Sequence, residues 1–238
     1  GSYSGASQAA VYASYIKGFT LSNCVVSGNR SASNSGGLYA TSSEITIDRC
    51  LFFSNDTNSS DGGAMYINAC PYFEVRNSVI AGNFAVGISG AIRYYNTAAI
   101  TAQAKIVNCT FRGNDCGTPT SGRTIRFFNS GGTVNAEVIN SIFRGGDSQI
   151  INGGTTLSLQ YNNIESGSGG TNIDADPLFF EGHSGTWTST GSYNGTTCTT
   201  LLTDSNWYWK ENELVGLTVN PNDLSNLVYF VVSNTANT

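Results

Sequence analysis

Charged residues are scarce in this chain, and histidine and methionine occur only once each. Asp, Glu, Lys and Arg make up 11% of its 238 residues, compared with about 25% in typical soluble domains. The 11 basic and 16 acidic residues give a formal charge of −5, and no run of basic residues occurs. This charge argues against a nucleic-acid partner, because phosphate binding depends on clustered Lys and Arg.

Long apolar runs and metal-ligand spacings are also missing. No stretch approaches the ~20 consecutive apolar residues of a transmembrane helix, so no membrane span is expected. The single histidine, His183, and the absence of a CxxC pair argue against structural zinc. We expect no cofactor and assign no catalytic or metal residue. Ca²⁺ is kept as an alternative at the row of Glu44, Glu74 and Glu137 and at Asp174 and Asp176, although such aspartates more often satisfy a turn.

A nine-residue phrase recurs along the chain and dominates its organisation. The steps between successive copies are 26, 28, 31, 32 and 21 residues. A second phrase follows most copies, as in Gly36-Gly-Leu-Tyr39. Two phrases that keep their order over an uneven period predict stacked coils with loops of variable length. The copies of the first phrase begin at Leu21, Ile47, Val75, Ile106, Val138 and, more weakly, Leu159.

Within each copy, the fourth and sixth residues lie on one face of a strand, and we predict that both point inward. The first residue joins them across a bend at the third residue, which is Asn in four of the five strong copies. Stacked Asn side chains can hydrogen-bond from coil to coil and satisfy a buried corner. The predicted inward pairs are Cys24/Val26, Cys50/Phe52, Ser78/Ile80, Cys109/Phe111 and Ser141/Phe143.

Together these phrases resemble those of secreted right-handed parallel β-helix proteins, a group that includes pectate-lyase-like enzymes and surface proteins. The resemblance covers roughly residues 10–180, and 172–179 resembles the phrase that often closes such stacks. It implies an all-β fold, a right-handed parallel β-helix (solenoid) of about six coils. We assign residues 1–182 to this stem and residues 183–238, where all three tryptophans lie, to a β-rich C-terminal extension or cap.

Cysteines and sequons suit an extracellular protein. Cys24 and Cys50 share one position on consecutive coils, so they are either a disulfide or two stacked thiols. Cys109 has serines in the neighbouring slots, and Cys116, in a nearby loop, is its candidate partner. Candidate glycosylation sites are Asn29, Asn55, Asn58, Asn108 and Asn194.

Recurring charged and aromatic residues leave several functions open. A row of Glu44, Glu74 and Glu137 is either a catalytic carboxylate cluster or a solvated strand edge. Likewise, arginines near the phrases either hold an acidic sugar or discourage aggregation. Tyrosines near the coil edges either stack on sugars or partners, or pack on one another. The recurring arginines are Arg93, Arg112, Arg126 and Arg144, and the tyrosines are Tyr12, Tyr15, Tyr39, Tyr66, Tyr94 and Tyr95.

These features favour an extracellular structural or adhesive surface protein over an enzyme. Its terminal apolar segments suggest a head-to-tail filament in which 227–232 adds a strand to a neighbouring chain. The alternatives are a polysaccharide lyase or glycoside hydrolase, a carbohydrate-binding module, or one domain of a longer surface protein. The expected partners are therefore further copies, neighbouring domains or polysaccharide. The predicted assembly residues are Leu227, Val228, Tyr229, Phe230, Val231, Val232, Val11, Tyr12 and Ile16.

Overall fold

The fold was analysed in a computed structural model. The structure describes residues 3–4, 9–167, 169–175, 177, 187–189, 191–197, 199–205, 210–212, 218–219 and 229–236. The chain divides into two compact units, Gly1–Pro177 and Leu178–Thr238. The sequence prediction placed this boundary after residue 182.

The first unit is a parallel β-solenoid in which four short strands make up a full turn. After β1 (Tyr3–Ser4), the first turn contains β2 (Val11–Ser14), β3 (Phe19–Ser22), β4 (Val25–Ser27) and β5 (Arg30–Ser31). The second contains β6 (Leu38–Thr41), β7 (Glu44–Asp48), β8 (Leu51–Phe53) and β9 (Asp56–Thr57). The third contains β10 (Met65–Asn68), β11 (Tyr72–Arg76), β12 (Val79–Ala81) and β13 (Phe84–Ala85).

Later turns are less regular. The fourth contains β14 (Ile92–Asn96), β15 (Thr101–Val107), β16 (Thr110–Arg112) and β17 (Asp115–Cys116). A 3₁₀ turn, Pro119–Ser121, precedes β18 (Ile125–Asn129), β19 (Thr133–Ile139) and β20 (Ile142–Arg144). The stack ends with β21 (Ile150–Gly153), β22 (Thr156–Gln160) and β23 (Asn163–Ile164).

Equivalent strands of successive turns pair in register and form four parallel sheets. Sheet 1 contains β2, β6, β10, β14, β18 and β21; sheet 2 contains β3, β7, β11, β15, β19 and β22. Sheet 3 contains β4, β8, β12, β16, β20 and β23, and sheet 4 contains β1, β5, β9, β13 and β17. The predicted β-helix is thus confirmed. It has about five turns where six coils were predicted, because the chain makes five turns between the first and the last of the six strands stacked in a sheet.

The predicted inward positions form the core. Phe52, Ile80, Phe111 and Phe143 are fully buried, and Cys50, Ser78, Cys109 and Ser141 are nearly so. Phe111 and Phe143 stack with ring centroids 4.6 Å apart. At the first-turn end, Cys24 and Leu21 are only partly buried. The small-then-large alternation therefore fills the interior turn by turn, as the phrase predicted.

The third residue of each phrase forms the corner between sheets 2 and 3. From Asn23 to Tyr161 these residues have φ between 48° and 56°, the left-handed conformation that Asn tolerates best. Asn140 Nδ2 donates to Asn108 Oδ1 at 2.8 Å, and Asn108 Nδ2 to Asn77 Oδ1 at 3.2 Å. We call these stacked amides the corner ladder. It lies on the surface, so the predicted burial of this corner is wrong.

A second asparagine ladder, at the ninth residue of the phrase, is the buried one. Asn55 Nδ2 donates to Asn83 Oδ1 at 3.0 Å, and Asn83 Nδ2 to Asn114 Oδ1 at 2.9 Å. The same oxygens accept backbone N–H groups of the preceding turn, at 2.9 and 3.1 Å. These amides satisfy polar groups where the chain turns from sheet 3 into sheet 4.

The second unit is described in shorter segments. β24 (Ser192–Asn194) pairs antiparallel with β25 (Thr199–Leu201), and β26 (Thr218–Val219) pairs antiparallel with β27 (Tyr229–Phe230). No helix within the described segments is long and apolar enough to cross a membrane.

Candidate ligand-binding face

Sheet 1 carries one row of aromatic and basic side chains along its outer surface. Tyr12, Tyr39 and Tyr66 occupy the row in the first three turns, and Arg93 and Arg126 occupy it in the next two. Side chains alternate across a strand, so the residues on either side of each row member point into the core. The strands of sheet 1 therefore present five consecutive members of this row on one face.

The three tyrosines form a cross-turn ladder. The rings of Tyr12 and Tyr39 stack at 5.4 Å with an interplanar angle of 3°, and those of Tyr39 and Tyr66 at 5.5 Å and 12°. Burial raises the pKa of Tyr66 to about 12, with the nearby Arg93 charge opposing this rise. The rings of these three tyrosines thus cover each other's faces, which favours mutual packing for them.

Arg93 continues the row but is almost buried, with 7% of its surface exposed. Its Cζ lies 5.0 Å from the centroid of the Tyr95 ring and 5.4 Å from that of Phe128. Its Nε is 3.6 Å from Asp61 Oδ2. Burial lowers the pKa of Arg93, and Asp61 opposes this effect. Nε and Nη1 have no hydrogen-bond partner, which is costly for buried donors.

Arg126 brings a second guanidinium to the next rung. Its Cζ lies 5.5 Å from the Phe128 ring centroid, and Nη1 donates to Ser121 O at 3.3 Å. Within the described chain Arg126 has no ion pair, whereas Asp61 is already paired with Arg93. Only one of the two neighbouring guanidinium groups is therefore paired with a carboxylate, so the site carries surplus positive charge. We call the side chains of Tyr66, Arg93, Tyr95, Arg126 and Phe128 the arginine–aromatic face.

This face has the chemistry to bind an anion attached to an apolar ring. Guanidinium groups bind carboxylate and sulfate oxygens through charge-assisted hydrogen bonds, and aromatic side chains pack against the apolar face of a sugar. Sequence reasoning noticed that Arg93 and Arg126 share a repeat position. Tyr95 was noted only as a tyrosine near a coil edge, and Phe128 was missed, although the alternation of both rings with the arginines along β14 and β18 was a visible signal.

Sheet 2 holds the carboxylates considered for catalysis, and they are not brought together as a cluster. Glu74, Lys105 and Glu137 follow one another in register, with Lys105 Nζ 3.6 Å from Glu137 Oε2. Glu44 lies in a different row, opposite Tyr72. Arg76 Nη1 is 3.6 Å from Glu74 Oε2. Alternating charges of this kind are typical of a solvated sheet surface.

Asp174 satisfies the closing turn. Arg144 Nη1 donates to Asp174 Oδ1 at 2.7 Å, and the Ser166 amide donates to Oδ2 at 2.9 Å. Glu165 accepts the Gly145 and Gly146 amides at 2.6 and 2.9 Å. No group of three or more metal-ligating side chains occurs among the described residues, and Asp176 lies outside them.

Hydrogen bonding lowers the pKa of three described carboxyl groups, those of Asp48, Glu165 and Asp174. The Arg144 hydrogen bond has the largest effect on Asp174, the Gly146 amide on Glu165, and the Asn77 amide on Asp48. Glycosidic hydrolysis needs a carboxyl group whose pKa is raised, so that it can donate a proton. These three carboxyl groups are instead stabilised in the ionised form, which has no proton to donate.

The candidate disulfides are absent, because the structure has Cys24, Cys50, Cys109 and Cys116 as free thiols. In-register stacking keeps neighbouring Cβ atoms about 4.8 Å apart, whereas a disulfide needs about 3.8 Å. The Cys50 thiol instead donates to Leu21 O at 3.4 Å, and the Cys116 thiol to Gly122 O at 3.7 Å. Burial raises the pKa of Cys109 to about 12.

The five sequons differ in accessibility. Asn55 is fully buried, and its Nδ2 donates to Val26 O at 2.8 Å, which leaves no room for a glycan in the folded chain. Asn108 is exposed, but its amide is part of the corner ladder. Asn29 is partly buried. Asn58 and Asn194 are exposed, so glycosylation there stays a prediction.

The residues predicted to mediate assembly fall in two places. Val11 and Tyr12 belong to β2, the outermost strand of sheet 1, and Ile16 is 39% exposed. Tyr229 and Phe230 form β27, followed by the partly buried Val231 and the exposed Val232. Leu227 and Val228 lie outside the described residues. Val219 already pairs with Tyr229, so one edge of the predicted donor strand is occupied within the chain.

Comparison with known proteins agrees with this architecture. Residues 2–130, more than half of the chain, match the family described as the right-handed β-helix region. The chain belongs to this family. No curated protein and no solved structure matches it. Fold does not determine function among β-helix proteins, so function has to be argued from side chains.

Proposed function

We propose that this β-helix protein is an extracellular adhesive surface protein whose arginine–aromatic face binds acidic polysaccharide. The stem supplies a rigid scaffold, because every turn pairs with its neighbours through parallel sheets. A surface rich in Ser, Thr and Asn and poor in charge supports an extracellular location. Adhesion requires a retained ligand, so the proposal is for binding without cleavage.

The surplus charge of Arg93 and Arg126 carries this proposal. The half-buried Arg126 has no ion pair within the described chain, and an anion supplied by a ligand would balance its charge. The adjoining rings of Tyr95 and Phe128 give the face an apolar component that inorganic anions do not use. Uronate units combine a carboxylate with a sugar ring, so acidic polysaccharide fits both features.

The enzymatic alternative has less support from the described residues. A lyase or hydrolase on this fold would need a carboxylate or basic group aimed at the bound sugar. Asp61, the carboxylate paired with Arg93, also accepts the Ile88 amide through Oδ1 at 2.8 Å. One oxygen of Asp61 is thus hydrogen-bonded to the backbone and the other faces Arg93, which favours a structural role for this carboxylate over proton transfer.

Titration calorimetry with polygalacturonate tests the proposal. The wild-type protein should bind, and Arg126→Gln should weaken binding about tenfold or more, because a hydrogen bond to a charged group contributes roughly 1.5–3 kcal/mol. Binding should also weaken as salt is added.

Two controls isolate the charge and the position. Fully methyl-esterified polygalacturonate keeps the sugar backbone but lacks the carboxylates, so it should bind poorly. Arg30→Gln removes a surface arginine of sheet 4, paired with Asp56 at 3.4 Å, and should leave the affinity unchanged. Equal binding of both polymers, or equal losses in both variants, would refute the proposal.

Head-to-tail assembly is a separate proposal. Within the described chain, the outer edges of β2, β3 and β4 pair with no other strand, and such edges can accept an added strand. Negative-stain electron microscopy should show filaments for the whole chain and none for a chain ending at Asn222. An unchanged assembly state after this truncation would contradict strand donation by residues 227–232.

A further inference from the structure

A groove of about 550 Å³ runs along the corner between sheets 2 and 3, away from the arginine–aromatic face. Asn108, Asn140 and Tyr161, from three successive turns, form one side of it. Thr110 and Ile142 on sheet 3 form the other side, with Ile173 at its end. Its size lies within the ~300–1,000 Å³ that is usual for small-ligand sites.

The corner ladder stops inside this groove. Asn140 donates its amide to Asn108, but its own Oδ1 receives no hydrogen bond from the described chain. The next corner residue is Tyr161, where Asn would have continued the ladder. An acceptor is thus left open beside an aromatic ring that is 64% exposed.

The rest of the groove combines polar and apolar groups without charge. The Thr110 hydroxyl has no side-chain hydrogen bond within the described chain, and Ile142 and Ile173 provide apolar surface nearby. None of the described lining residues is acidic or basic. A sugar has hydroxyl groups for the open amide and threonine, and an apolar ring face for Tyr161.

We propose that this corner groove binds a neutral saccharide of one or two sugar units. Tyr161 stacks against the sugar ring, Asn140 Oδ1 accepts a sugar hydroxyl, and Thr110 completes the polar contacts. The site is independent of the acidic-polysaccharide proposal, because it shares no residue with the arginine–aromatic face. It gives the stem a second binding surface, which prefers neutral sugars where the first prefers acidic ones.

Tyr161→Asn is the informative variant. Asn occupies the equivalent corner at Asn77, Asn108 and Asn140 with the same positive φ, so the variant should fold. It removes the ring and places an amide where it can donate to Asn140 Oδ1. Both ligand-binding features are therefore lost while the ladder gains a rung.

Saturation-transfer NMR with cellotetraose, maltotetraose and mannotetraose provides the test. At least one of them should receive saturation from the wild-type protein, and Tyr161→Asn should reduce its affinity about tenfold or more. The matched control is Tyr15→Asn, since Tyr15 is also a corner residue with positive φ (55°) and is 83% exposed. Tyr15→Asn and Arg30→Gln should both bind like the wild type.

Two results would overturn the groove assignment. One is the absence of saturation transfer to all three oligosaccharides from a folded wild-type protein. The other is the same affinity in Tyr161→Asn as in the wild type, which would place the saccharide elsewhere. Failure of polygalacturonate binding has no bearing on this outcome.

Discussion

At the scale of single residues, the same side chain plays different parts at two corners of the coil. Asn83 is buried, and its amide donates to Asn114 Oδ1 and to Phe52 O at 2.9 and 3.0 Å. Asn108 makes similar ladder contacts on the surface, where water can replace them. Burial therefore decides how much each amide contributes to stability.

Asn83→Ala should lower the free energy of unfolding by about 3 kcal/mol, because it leaves buried partners of the amide without hydrogen bonds. Asn108→Gly is the comparison: it removes an exposed amide and keeps the positive φ, so the loss should stay below about 1 kcal/mol. Urea unfolding measures both. Similar losses in the two variants would contradict the distinction between the ladders.

At the scale of elements, the closing segment is held to the stack by ionic contacts. Arg144 of β20 donates to Asp174 at 2.7 Å and also to Asn163 and Ala175 O. The pKa of Asp174 is lowered chiefly by the Arg144 hydrogen bond, so the folded state favours its ionised form. This contribution is present above the ordinary Asp pKa and is lost as pH falls toward the lower folded value.

Acidification should therefore loosen the closing segment before the core. Hydrogen exchange at the Ser166 amide, which donates to Asp174 Oδ2, should accelerate as pH falls below about 4, relative to the intrinsic exchange rate. Asp174→Asn should show fast exchange already at neutral pH. Asp147→Asn, which also removes a carboxylate, should behave like the wild type; unchanged Ser166 exchange in Asp174→Asn would contradict the role of this contact.

Sequence patterns predicted the stacked elements well but the side-chain surfaces less so. The inward pairs such as Cys50/Phe52 followed from strand alternation, and the corner at Asn77 followed from its recurrence. The buried ladder was missed, although its Asn recurs at the ninth residue of the phrase. Sheet 4 was missed because two-residue strands such as Arg30–Ser31 carry no pattern of alternation.

The arginine–aromatic face could be predicted only in part. Equal phrase positions placed Arg93 beside Arg126, and their register confirms it. Whether tyrosines stacked on one another depended on ring orientation, which spacing does not determine. The missing acceptors of Arg93 depend on how the loop carrying Asp61 packs against β14, and loops of unequal length left no repeat from which to infer that contact.

At the scale of the whole molecule, the proposed site for acidic polysaccharide lies within the solenoid unit. All residues of the arginine–aromatic face come from three consecutive turns, and each turn is stabilised mainly by its neighbours. The second unit, Leu178–Thr238, supplies none of them.

A chain ending at Pro177 should therefore retain its β-sheet circular dichroism and bind polygalacturonate within about threefold of the whole chain's affinity. Calorimetry on the two chains makes the comparison. A folded, truncated chain that no longer binds would show that residues beyond the solenoid belong to the site.

The central claim, binding without cleavage, is tested most directly by following the size of polygalacturonate during prolonged incubation with the protein. Light scattering coupled to size-exclusion chromatography reports both the complex and the polymer length, and ultraviolet absorbance reports unsaturated ends. We predict a complex with polymer of unchanged length and no new absorbance. The opposite result is that the wild-type protein shortens the polymer, with or without producing unsaturated ends, while Arg93→Gln or Arg126→Gln leaves it intact. That result would make the same face an active site and contradict the adhesive account.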